Sequence, residues 1–203
     1  YAAAKKEGAA MQQIDSDIAL ITQTALITTP THGGRAKCLQ RLVRLDLPVP
    51  RTVALSFEMV HKIAAGEAPD MAEILETFAD EDLLCVRPSS ESSDWGGPGA
   101  VLNIGMNDKA FQRLSKTLGE ESAAKIYFRF VQGYSIHVAR LDPDIFDHIE
   151  GQDAQALEEA LAAYQAETEE PFPREKSVQL SEVLRSMARA WEGTTARLLR
   201  QAK

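Results

Sequence analysis

Apolar residues fall in short runs over the first half of the chain and in helix-spaced stripes over the second. The runs at 18–21 and 25–28 are too short for periodicity to classify, and they are assigned here as a helix and then a strand. After a break from Pro30 to Gly34, Cys38, Leu39, Leu42 and Val43 recur at i, i+1, i+4 and i+5, which predicts a helix over 34–46 with one buried face. It must end before Pro48 and Pro50, which remove amide donors and favour extended geometry in the residues before them. A strand over 52–55 follows, then a helix with Ser56 as N-cap and another over 70–80 capped by Asp70. The run "LLCV", 83–86, reads as a short buried strand that delivers Arg87 into "PSSESSDWGGPG". With four serines, three glycines and two prolines in twelve residues, that segment is a loop or lid before a second strand at 100–104. Beyond Asn107 the pattern is helical: 108–118, 120–133, 143–149, 153–168 and 177 to about 200.

This order predicts an α+β fold in which a small sheet with flanking helices precedes a helical portion. The expected division is an N-terminal extension, 1–17, a sheet-containing part, 18–107, and a helical subdomain of the same lobe, 108–203. With 44% apolar residues the chain can bury a sizeable core. Its 22 basic residues against 30 acidic ones give a formal charge of −8, which disfavours nucleic acid as a partner. Cys38 and Cys85 have neither the number nor the spacing of a disulfide framework or a metal site, which fits a reducing cytoplasm. No apolar run reaches the roughly 18 residues of a membrane span, and the first residues lack the apolar stretch of a secretory signal. The absence of an initiator Met leads to the expectation that residues precede Tyr1.

Charge singles out one region. From Arg35 to Arg51 five cations face one acid, a local charge of +4, so the remainder sums to −12. Gly33 and Gly34 stand at the start of the 34–46 helix, where unpaired amides and about half a positive charge face any nearby anion. Lys37, Arg41 and Arg44, at i, i+4 and i+7, form one solvated face and leave Arg35 as the cation nearest the helix start. The stretch is either an anion site or a turn followed by a solvated face. Arg87 has two readings as well: a strand-held guanidinium that forks onto phosphate oxygens, with Ser89 and Ser90 completing the cradle, or a surface Arg paired with Glu91 or Asp94. No carboxylate pair stands out as a Mg²⁺ site. His32, His61, His137 and His148 lack metal-ligand spacing, and the serines lack a G-x-S-x-G context. Trp95 anchors its loop to the surface, Trp191 belongs to the core, and the acidic run "ETEE", 167–170, is a solvated helix end and turn.

"GGRAKCLQRLVRLDLPVP", "LLCVRPSSESSDWGGPGAVLNIGMND" and "YFRFVQGY" resemble successive blocks of the N-terminal nucleotide-binding domain of pyruvate phosphate dikinase, a relative of phosphoenolpyruvate synthase. "PFPREKSVQLSEVLRSMARAW" resembles the helical segment that follows there, and the resemblance runs from about residue 18 to the end. It implies the first part of an ATP-grasp type lobe, with Arg35 and Arg87 on the phosphates of ATP and Gly33, Gly34, Ser89 and Ser90 around them. In the full-length family the reaction converts ATP, phosphate and pyruvate to AMP, diphosphate and phosphoenolpyruvate. The Mg²⁺ ligands, the phosphohistidine domain and the pyruvate domain are expected outside this chain, in downstream domains or another subunit, so no catalytic residue is assigned within it. His32 is not the counterpart of the phosphohistidine. The family has Lys-Gly where this chain has Arg35-Ala36, and Ser-Gly-Ala or Ser-Ser-Ala where it has Pro88-Ser89-Ser90. Those departures define the alternative, a degenerate non-catalytic homologue acting as a regulatory or interaction module. A helical partner-binding protein using 108–203 is a third reading.

Overall fold

In a computed structural model of the chain, the structure describes residues 17–81, 83–91, 99–193 and 198. The elements run in the order β1 (Ile18–Leu20), α1 (Thr29–Arg44), β2 (Val53–Leu55), α2 (Phe57–Ala65), α3 (Met71–Thr77), β3 (Leu84–Val86), β4 (Val101–Ile104), α4 (Asp108–Leu118), α5 (Glu120–His137), a 3₁₀ turn (Pro143–Phe146), α6 (Ala154–Thr168) and α7 (Lys176–Glu192). They form two compact units. The first holds 17–70, 88–91 and the chain from 188; the second holds 71–87 without residue 82, and 99–187.

In the first unit β1 pairs antiparallel with β2, with Ala19 opposite Ala54. Ile21, Ile27, Ala36 and Ala54 make one buried cluster, supported by Ala25, Leu39 and Val43. A second cluster joins Met59 and Ile63 of α2 to Ala188, and Trp191 stacks on Phe57 with ring centroids 5.4 Å apart. Ser56 caps α2 by accepting from the Met59 amide at 3.0 Å, and its hydroxyl donates to Asp17 Oδ1 at 2.5 Å.

Four expectations fail here. Residues 18–20 are a strand instead of a helix, and 25–28 form no strand. The backbone turns at Ala25, whose carbonyl accepts from the Ile27 amide at 2.9 Å and from Gln40 Nε2 at 2.6 Å, so no ladder can form. The same contact alters the buried face of α1. Gln40 is fully buried and bonds the carbonyls of Thr22 and Ala25, whereas Cys38 is exposed. Lys37 is half-buried too: its ammonium donates to Ile27 O and Gln40 Oε1, both at 2.8 Å, and does not join a solvated face.

In the second unit β3 pairs antiparallel with β4, Leu84 opposite Ile104 and Val86 opposite Val101. The extra residue on β4 makes a bulge, where Asn103 takes φ 62°. The strand expected to be buried is half-exposed, with Cys85 facing solvent, because a two-stranded sheet covers one face. Phe172 lies at the centre of the helical core, its ring edge-on to Phe130, Tyr127, Tyr134 and Tyr164 at 5.1–6.4 Å. Burial pushes the Tyr127 phenol up to about 12, although Arg174 Nη1 donates to its oxygen at 2.6 Å. The caps follow the expected chemistry: Asn107 Oδ1 accepts from the Ala110 amide and Asp153 Oδ1 from the Ala156 amide, both at 2.9 Å. α5 continues past Gly133 to His137, and the helix expected over 143–149 shrinks to one 3₁₀ turn capped by Asp142. Trp95 and most of the expected helical tail beyond 193 lie outside the described residues.

Candidate functional site

The glycine turn interrupts α1 instead of preceding it. Thr28 caps the first turn, where it and Thr31 exchange amide-to-hydroxyl hydrogen bonds at 3.3 Å, and helical geometry then breaks at Gly33 (φ 81°, ψ 168°). Gly34 opens the second segment. Such a start leaves the first amides without intrahelical acceptors. Here the Gly34 amide donates to Ser90 O at 2.6 Å, and the Ala36 amide donates to Ser89 Oγ at 3.1 Å.

Gly33 is demanded twice over. Its φ lies in the left-handed region, and a Cβ there would stand 2.1 Å from the carbonyl oxygen of Ser89. At Gly34 the nearest atom to an added Cβ is Ser90 O at 3.4 Å, so space does not require that glycine. Of the six residues singled out by sequence, four thus come together: Gly33, Gly34, Ser89 and Ser90. Arg35 is exposed on the same turn. Arg87 is exposed immediately after β3, and neither arginine makes an ion pair among the described residues. His32 is buried, its Nδ1 2.8 Å from Thr31 Oγ1.

Arg35 belongs to the first unit and Arg87 to the second, both with exposed side chains, whereas the amides of Gly34 and Ala36 already have acceptors. For Mg²⁺, no group of three or more His, Cys, Asp or Glu side chains suited to a metal occurs among the described residues.

A second cationic feature escaped the sequence reading. Lys125 and Arg129 of α5, with Ser122 and His137, line a half-open cavity of about 510 Å³ beside residues 100–103, and among the described residues no acidic side chain lines it. The signal was present: 125, 129, 133 and 137 recur at four-residue spacing, which places them along one helical face. It was hidden inside a stretch whose burial, at Tyr127, Phe130, Val131 and Tyr134, belongs to the opposite face.

No protein-family model matches the chain. It is similar to curated proteins named pyruvate, phosphate dikinase. With that of Entamoeba histolytica it shares 26% identity over 200 residues, covering 81% of this chain and 23% of the relative. With those of Clostridium symbiosum and Rhizobium meliloti it shares 28% over 206 residues and 25% over 195, covering 83% and 78% of this chain. The chain spans less than a quarter of the length of these relatives, 22–24% in the three cases. The similarity supports a relation to part of a pyruvate, phosphate dikinase.

Proposed function

We propose that the chain is the first part of an ATP-grasp type nucleotide-binding lobe in a cytoplasmic, dikinase-like phosphotransferase. Residues 18–107 supply the sheet-containing part and 108–203 the helical subdomain. Arg35 and Arg87 contact the phosphates of ATP, and the Gly33–Gly34 turn with Ser89 and Ser90 frames them. Each guanidinium presents a planar fork that matches two phosphate oxygens. Phosphoryl transfer to a carrier histidine, and onward to pyruvate, depends on domains outside these residues, as do the Mg²⁺ ligands.

The observation that carries this reading is the similarity to the dikinases over 78–83% of the chain. The exposed side chains of Arg35 and Arg87 are the donors that it assigns to phosphate. The test is calorimetric titration of Mg·ATP into the full-length protein and its Arg87→Ala variant. Loss of one charge-assisted contact is expected to weaken binding at least roughly tenfold. Equal affinity in the two proteins sinks the role of Arg87.

The alternative, a non-catalytic regulatory or interaction module, is favoured by the amides of Gly34 and Ala36 having acceptors within the chain. The Arg35-Ala36 pair and Pro88 point the same way. Micromolar Mg·ATP affinity counts against this module, and no binding by the folded full-length protein favours it.

A further inference from the structure

We propose that Ser89 is a positioning residue: it fastens the serine loop into a notch at Gly33, so the amides of Gly34 and Ala36 serve the loop and anion recognition falls to side chains. The nucleotide half of this inference rests on the function proposed above.

The argument begins with what a helix start leaves unpaired. After the break at Gly33, Ala36 sits at the third helical position, whose amide an N-cap side chain ordinarily satisfies. Gly33 has no side chain to do so. Ser89 supplies the missing acceptor from 53 residues away, its Oγ 3.1 Å from the Ala36 nitrogen. Ser90 supplies another through its carbonyl, 2.6 Å from the Gly34 nitrogen. The approach is close enough that the Ser89 carbonyl carbon stands 2.4 Å from where a Gly33 Cβ would lie.

The glycine therefore admits protein backbone, where a phosphate-cradling turn would keep that space for the ligand. Two of the turn's leading amide donors are committed before any ligand arrives. An anion at this turn then meets chiefly the exposed Arg35 side chain, and an intact notch fixes the backbone that carries it. The hydroxyl is also two residues beyond Arg87 in sequence, so the notch restrains the chain directly after that arginine.

The test uses the full-length protein and its Ser89→Ala, Ser89→Thr and Gly33→Ala variants. The first readout is amide hydrogen exchange at Gly34 and Ala36 without nucleotide. In Ser89→Ala, loss of one neutral hydrogen bond is expected to speed exchange at Ala36 about five- to tenfold. Ser89→Thr, which keeps a hydroxyl, restores the protection, and Gly33→Ala exposes both amides. Unchanged exchange at Ala36 in Ser89→Ala overturns the proposal. The second readout is Mg·ATP affinity beside the melting temperature. Affinity is expected to fall about threefold or more in Ser89→Ala, with little change in melting, and to recover in Ser89→Thr. Equal or tighter binding by Ser89→Ala overturns the positioning role, because the hydroxyl would then merely compete with the ligand for the amide. If the unaltered protein binds no Mg·ATP, the nucleotide reading fails on its own. Exchange then decides the notch: acceleration that Thr reverses retains it, and no acceleration overturns it.

Discussion

The side chain of Gln179 satisfies the backbone of Gly105, accepting its amide proton at 2.7 Å from a position with no solvent exposure. The same side chain donates through Nε2 to Met106 O at 3.0 Å and to Pro173 O at 2.7 Å. One residue of α7 thus ties the end of β4 to the turn before its own helix. Gln179→Leu fills similar space and leaves three backbone groups without this partner. At about 1–3 kcal/mol for each buried group left unsatisfied, a loss of roughly 3 kcal/mol or more is expected in chemical denaturation. A loss below about 1 kcal/mol would mean that water replaces the amide.

The two glycines of the turn separate under substitution. Gly33→Ala places a methyl against Ser89 in left-handed geometry, a strain of about 1–2 kcal/mol before any clash is counted. The expected destabilisation is about 3 kcal/mol once overpacking is included. Gly34→Ala meets only ordinary contact, and its higher helix propensity offsets what contact costs, so its stability stays within about 1 kcal/mol of the unaltered protein. Thermal melts of the two variants side by side check the difference.

What could be read along the chain was what depends on neighbours in sequence. The cap at Ser56 and the helices after it, after Asn107 and after Asp153 follow from local hydrogen bonding and spacing. The misassignments have a common cause in distant partners. Residues 25–28 have the apolar run of a strand, yet the carbonyl of Ala25 is taken by Gln40. Gln40 itself is a polar residue buried because the segment against it is irregular and needs donors. At the candidate site, the residue types were visible but their allocation was not. A glycine that admits a phosphate and one that admits Ser89 look identical in sequence, and only the loop's position separates them.

Acid should weaken the first unit through Asp17. Hydrogen bonds from Lys62, at 2.7 Å, and Ser56 hold its carboxyl below the usual range. A depressed folded-state value means that the stabilisation is fully present above about pH 4 and is lost as pH falls through the lowered value. Asp17→Asn is therefore expected to cost on the order of 1–2 kcal/mol at pH 7. It should flatten the acid limb of stability against pH, and denaturation at pH 7, 4 and 2.5 measures both. An acid limb that is unchanged in the variant would place the charge-dependent stability elsewhere.

Along α5, Lys125 has Glu121 one turn before it, whereas Arg129 has Lys125 there. Among the described residues no acidic side chain lines the cavity beside the two cations. Like charges at i and i+4 destabilise a helix by about 0.2–0.5 kcal/mol. Arg129→Gln removes that repulsion while keeping a side chain of good helix propensity. Its melting temperature in low salt is expected to match or slightly exceed that of the unaltered protein. The difference should vanish in about 1 M salt, where the Debye length falls to about 3 Å. A loss exceeding about 1 kcal/mol that persists in salt would instead assign the guanidinium a packing role over β4.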